Sequence, residues 1–145
     1  MSEPLSKPPF TTLGLDHVVL RVRALGPALD FYTRVLDGTV ERRLDALGLV
    51  QVRLGRSLVD LVPVDSPLGK LGGAAPAETA RNLDHFCVRI DPFDEAELRA
   101  HLAAHGIEAG EVGTRYGADG NGPSLYVRDP DGNTVELKGP PEVAK

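Results

Sequence analysis

Leu15-Asp16-His17-Val18-Val19-Leu20-Arg21-Val22 decides how this chain is read, because the sequence writes it twice. Sixty-eight residues later it returns as Leu83-Asp84-His85-Phe86-Cys87-Val88-Arg89-Ile90. Leu, Asp, His and Arg hold the same places, and the other positions stay apolar. Such octapeptides read as strands, and a strand sends alternate side chains to opposite faces. One face therefore carries Leu15, His17, Val19 and Arg21, and its repeat carries Leu83, His85, Cys87 and Arg89. Two equivalent histidines on equivalent strands look like half of a metal site.

Working outward, Gly26-Pro27 opens a helix with proline near the first helical position, where its missing N–H costs least. Ala28, Phe31, Tyr32 and Val35 follow at helical spacing, and Asp37-Gly38 supplies the stop. Residues 39–46, 49–54 and 58–64 are β-like runs separated by turns around Gly48 and Gly55. The first half is thus βαβββ. Residues 65–82 are rich in Gly, Pro and Ala without periodicity, which predicts a linker. After the repeated strand, Asp94 and Glu97 form a capping box for a helix ending at His105-Gly106. Strands near 107–112, 124–128 and 134–138 complete a second βαβββ, with an eight-residue insertion around 113–122. The expected fold class is α+β, in two modules (13–64 and 83–139). They are flanked by a loose arm (1–12) and a tail (140–145).

With 145 residues, 41% hydrophobic and 26% charged, the chain can bury a single-domain core without disulfides or a structural metal. One cysteine allows no internal disulfide, and the expected home is a reducing cytoplasm. The first ten residues hold three prolines and no apolar core of a signal peptide. No run approaches the roughly 20 apolar residues that span a bilayer. A net charge of −5 with scattered Lys and Arg argues against nucleic acid. A small molecule is the expected ligand.

The last strands align with an offset that absorbs the insertion, so Val59-Asp60-Leu61 matches Val135-Glu136-Leu137. An apolar strand has no packing reason to carry a carboxylate in mid-run, since an unpaired buried charge costs several kcal/mol. One divalent cation at His17, Asp60, His85 and Glu136 would offset that cost. A single His–carboxylate pair reads equally as a buried polar contact; its symmetric duplication favours the metal. His101 and His105 lie one helical turn apart without a third ligand, and fit helix packing or solvation. Arg115 and Tyr116 lie in the Gly-rich insertion, which could close over a ligand. Cys87 fits a small apolar filler.

These residues resemble the vicinal oxygen chelate superfamily, the glyoxalase/bleomycin resistance/dioxygenase proteins, and within it glyoxalase I. The resemblance rests on Leu15-Asp16-His17, on Leu29-Asp30-Phe31-Tyr32-Thr33-Arg34-Val35-Leu36, and on Asp129-Pro130-Asp131-Gly132-Asn133 before Glu136. It implies two βαβββ modules whose curled sheets form a cup around one divalent metal (Zn, Ni, Mn or Fe). The implied ligands are His17, Asp60, His85 and Glu136, with Asp60 one methylene shorter than the Glu of glyoxalase I. The implied chemistry is a glyoxalase I-like lyase/isomerase acting on a small chelating oxygenated substrate such as a thiol hemithioacetal. Glu136 then takes a proton and the metal stabilises an enediolate.

Arg21 and Arg81 match positions that hold the glutathione γ-glutamyl carboxylate in glyoxalase I, although Val64 replaces an amide there. Ser124-Leu125-Tyr126 is similar to the fosfomycin-resistance thiol transferases, which marks Tyr126 as substrate-binding. Without Asp60 the set becomes His17, His85 and Glu136, the pattern of Fe(II) extradiol ring-cleavage dioxygenases. A metal-free drug-binding resistance protein is a further alternative. Related two-module proteins also imply a homodimer, with modules paired within one chain or exchanged between two.

Overall fold

The computed structural model describes residues 8–142. Its strands form two four-stranded sheets of identical topology. The first runs β1-β4-β3-β2, from β1 (His17–Val22), β2 (Thr39–Leu44), β3 (Leu49–Leu54) and β4 (Ser57–Pro63). The second runs β5-β8-β7-β6, from β5 (Phe86–Arg89), β6 (Gly113–Gly117), β7 (Gly120–Arg128) and β8 (Thr134–Lys138). In each sheet the first and last strands pair in parallel and the others are antiparallel. The class is α+β, two βαβββ modules.

The duplication extends to the hydrogen-bonding register. Val19 stands opposite Asp60 across β1 and β4, and Cys87 stands opposite Glu136 across β5 and β8. On the inner side, Gln51 pairs with Asp60 and Tyr126 with Glu136.

Period two decides which face enters the core. Leu20 and Val22 of β1, Val52, Val59 and Leu61 of the first sheet, and Leu125, Val127, Val135 and Leu137 of the second form one apolar cluster. Ala28 of α1 (Leu25–Asp30) and Leu102 of α3 (Glu95–Ala104) complete it. Both modules therefore share a core, and each sheet shows its other face outward. That outward face carries the histidines.

Helix α1 continues into a π-helical turn, Phe31–Val35, closed by Leu36 N–H donating to Phe31 O at 3.1 Å. Phe31 and Tyr32 are both buried there, ring edge against ring face with centroids 4.9 Å apart. The stop falls where expected. Asp37 turns left-handed at φ 63°, and a Cβ on Gly38 would lie 2.4 Å from Tyr32 O. Helix α3 begins as expected too, with Asp94 accepting from the Glu97 N–H at 3.0 Å.

Three expectations need correction. The strand expected at 107–112 is irregular chain, although Ile107, Ala109 and Val112 pack on the core. Apolar character there reports burial, not pairing. The strand is instead Gly113–Gly117, so the insertion is a β-hairpin turning at 117–120 and not a loop. Residues 65–82 are more ordered than a plain linker. They carry a four-residue helix, α2 (Pro67–Lys70), capped by Ser66, and a bridge between Ala77 and Ala80. Both copies of the octapeptide form shorter strands than expected: β1 begins at His17, although Asp16 O still accepts from the Leu58 N–H at 3.3 Å, and β5 spans only Phe86–Arg89, with His85 just before it. Of the arm, 1–7 lie outside the described residues and 8–12 have no regular structure; of the tail, 143–145 lie outside.

Candidate metal centre

In the first module His17 projects from the outer face of β1. Its Nδ1 lies 2.7 Å from Asp16 Oδ1, and its Nε2 lies 3.9 Å from Asp60 Oδ2. Asp60 is 4% exposed, and the Gln51 amide donates to both of its oxygens at 3.2 Å. In the second module His85 Nδ1 lies 2.6 Å from Asp84 Oδ2, and its Nε2 lies 3.4 Å from Glu136 Oε1. Glu136 is 6% exposed. The two half-sites repeat atom for atom, with Nδ1 on an aspartate and Nε2 on the strand carboxylate.

Electrostatics follow from these contacts. The hydrogen bond that His17 donates to Asp16, and then the charge of Asp60, raise the pKa of His17. The hydrogen bond accepted from His85 holds Asp84 below the usual carboxylate range. Partial burial, and then Glu136, push the Cys87 thiol up to about 11, so it is protonated near neutrality and a poor nucleophile.

The surroundings differ between the halves. Opposite Glu136 stands Tyr126, its ring edge-on to His85 with centroids 5.5 Å apart. Arg115 lies over the Tyr126 ring at 4.6 Å and donates to Ser124 O at 2.6 Å and Oγ at 2.9 Å. Lys138 is buried on the same face and donates to Gly120 O at 3.0 Å. Gly117 and Gly122 make room for it, since a Cβ on either would come within 2.9 Å of its side chain. The second module thus gathers His85, Glu136, Tyr126 and Arg115. The first offers His17, Asp60 and Gln51.

Other candidates lie elsewhere. The Arg21 guanidinium donates to the carbonyls of Gly69, Gly73 and Ala74, so it holds the connector between modules. Arg81 stands 3.6 Å from Asp84. Tyr116 is 80% exposed, and alternation along β6 turns it away from the Arg115 face. His101 Nε2 sits 2.9 Å from Val35 O, at the end of the π turn, where helix packing was expected. Gln51, Lys138 and the two aspartates beside the histidines were missed by sequence reasoning. Asp16 and Asp84 stand inside the repeat, which was the available signal.

A divalent ion fits the donor spacing of the second half-site better than that of the first, where His17 Nε2 and Asp60 Oδ2 stand 3.9 Å apart. An ion with ligands at about 2.0–2.2 Å separates those ligands by roughly 3.0–3.5 Å, which the 3.4 Å between His85 Nε2 and Glu136 Oε1 matches. Among the described residues, however, no three His, Cys, Asp or Glu side chains gather where they could hold one ion. The two pairs stay on separate sheets.

A family model, the Glyoxalase/Bleomycin resistance protein/Dioxygenase superfamily, matches residues 14–137. The chain belongs to that superfamily. The chain is 31% identical over 130 residues to the glyoxalase domain-containing protein RDO1 of Mycosarcoma maydis, a match covering 85% of this chain and 66% of that protein. It is 27% identical over 124 residues to catechol-2,3-dioxygenase of Bacillus subtilis, covering 85% and 40% respectively. The chain therefore spans less than two thirds of the length of either relative. Among solved structures, lactoylglutathione lyase from Agrobacterium tumefaciens superposes with a TM-score of 0.62 at 26% identity, over 92% of this chain and 96% of that one. The superfamily match thus fixes fold and ancestry, and the chemistry must be argued from the site. No helix among the described residues is long and apolar enough to cross a membrane.

Proposed function

We propose that this superfamily member is a metal-dependent enzyme of the glyoxalase I type, acting on a small substrate that offers adjacent oxygens to one divalent ion. The carrying observation is the duplicated half-site, in which a histidine anchored at Nδ1 turns Nε2 toward a buried carboxylate. His17, His85 and Glu136 would hold the ion, with Asp60 as the weaker fourth ligand. When bound, the ion supplies Lewis acidity, polarising the substrate oxygens and favouring negative charge on them. Glu136 accepts a proton from the carbon α to the substrate carbonyl, and its near-complete burial keeps competing water away. Tyr126 and Arg115 flank that position and orient the substrate. The likeness to lactoylglutathione lyase supports this choice of chemistry. Arg21 is already spent on the connector, which leaves Arg81 alone of the expected carboxylate clamp and argues for a substrate smaller than glutathione.

A complete site needs both half-sites at one ion, and one chain keeps them apart. A second copy brings them together: the outer face of module one in one chain meets that of module two in the other. Exposed apolar side chains beside His17 support this, with Leu13 96%, Leu15 89% and Val19 51% exposed. The protein is then a homodimer, and its single free cysteine suits a reducing cytoplasm.

One observation favours a second reading. Gln51 already occupies both Asp60 oxygens, which leaves His17, His85 and Glu136, the 2-His-1-carboxylate set of Fe(II) oxygenases. The likeness to catechol-2,3-dioxygenase points the same way. The test is metal analysis of protein purified without added metal, then assay with each metal on hemithioacetals and on catechols. Isomerisation without oxygen uptake supports the lyase. Oxygen uptake with iron on catechols replaces it with the dioxygenase, and no metal at all overturns both.

A further inference from the structure

We propose that Asp16 and Asp84 are positioning residues, each holding its neighbouring histidine with the proton on Nδ1 and the Nε2 lone pair turned to the half-site. The inference rests on the metal reading above and adds to it the residues that prepare the ligands. An ionised carboxylate only accepts hydrogen bonds, so contacts of 2.7 Å (Asp16 to His17) and 2.6 Å (Asp84 to His85) place the proton on Nδ1 in both rings. In a neutral ring Nε2 then carries the lone pair. It faces another acceptor, Asp60 or Glu136, at 3.9 Å or 3.4 Å. Two acceptors face each other favourably only with a cation between them, either a metal ion or a second ring proton.

Folding does not require these aspartates where they stand. Their side chains are 89% and 81% exposed, on chain just before each strand. Among the described residues, the only hydrogen bond or ion pair of the Asp16 side chain is with His17, and Asp84 meets His85 and, more distantly, Arg81. The same atom-to-atom arrangement arises in two modules whose other neighbours differ, Gln51 in one and Tyr126 in the other. A carboxylate behind a metal-binding histidine fixes its tautomer and raises its basicity, and losing one typically weakens metal binding about 10–100-fold.

The test compares wild type with Asp16→Ala and Asp84→Ala, using the full chain. In metal-free protein, nitrogen-15 NMR of the imidazoles, at a pH where both rings are neutral, reads the tautomer directly. The wild type should show Nδ1–H at His17 and His85, and each variant should move its own histidine toward Nε2–H and leave the other unchanged. Titration with Zn²⁺ should then show affinity about 10–100-fold lower in each variant. Tautomers that stay the same in both variants overturn the inference, whatever the metal does. A tautomer shift in protein that binds no metal supports the positioning role and overturns the metal reading instead, so the two fail separately. Asp16→Leu and Asp84→Leu, which keep the approximate shape but offer no acceptor, repeat the measurement should an alanine variant fold poorly.

Discussion

At the scale of single residues, the half-sites are chemically unequal, and that inequality can be measured. Asp60 stands 3.9 Å from its histidine and is held by Gln51, whereas Glu136 stands at 3.4 Å. Replacing His17 or His85 by alanine should strip the metal, while Asp60→Ala should leave measurable binding; equal losses in a metal titration would make Asp60 a full ligand. Glu136→Gln keeps the volume and one oxygen but removes the base. It should retain part of the metal and lose at least about 10²-fold in turnover on the substrate that wild type isomerises. Near-normal turnover would send the proton elsewhere. Cys87 reports on the same carboxylate in metal-free protein. Its alkylation by iodoacetamide should follow a thiol with a pKa of about 11, because burial and then Glu136 disfavour the thiolate. Glu136→Gln should bring that midpoint down. The sign also bears on folding: a raised folded-state pKa contributes stability at lower pH that is lost as pH climbs toward about 11.

At the scale of elements, the turn between β7 and β8 joins the two modules. Asp129 Oδ2 accepts from Tyr32 OH at 2.7 Å and from Asn133 Nδ2 at 2.8 Å, while Oδ1 accepts the N–H groups of Asp131 and Asn133. Asn82 extends this network from Asn133 to both backbone groups of Arg21. Burial, and then Asp129, push the Tyr32 phenol far above its ordinary range, so it remains a donor at any physiological pH. Tyr32→Phe removes one of four hydrogen bonds from a buried carboxylate. It should lower stability by about 1–3 kcal/mol, toward the lower end since three remain, as read from urea unfolding. Metal affinity should not change, because among the described residues no half-site side chain hydrogen-bonds to this turn.

At the scale of the whole molecule, the proposed site forms only between copies, and complementation tests that arrangement. His17→Ala and His85→Ala proteins are each expected to be inactive. Unfolded together and refolded, they form mixed dimers with one intact site, built from His17 of one chain and His85 of the other. Random pairing should restore about a quarter of the wild-type sites, read as activity or bound metal. No recovery would mean that each site is built within one chain. Sedimentation of metal-loaded wild type should show the dimer at micromolar concentration; a fully loaded monomer would rule out exchanged modules.

Local pattern determined much of this protein. The repeated octapeptide fixed two equivalent strands, period two separated their core face from their histidine face, and Asp37-Gly38 and Asp94 set the helix ends. These features are legible because neighbouring residues and hydrogen bonds a few residues apart decide them. The hairpin formed by the insertion at 113–122 was not legible in the sequence. Its pairing with 120–128 depends on which backbone groups find partners, and its glycines serve the Lys138 side chain from another strand. Likewise Arg21 looked free for a ligand until the connector folded back and placed three carbonyls around its guanidinium. Only the tertiary structure decided that the two His–carboxylate pairs, already legible in the repeat, do not converge on one point among the described residues. Spacing along the chain sets which face a side chain occupies, but the packing of one sheet against another decides which faces meet.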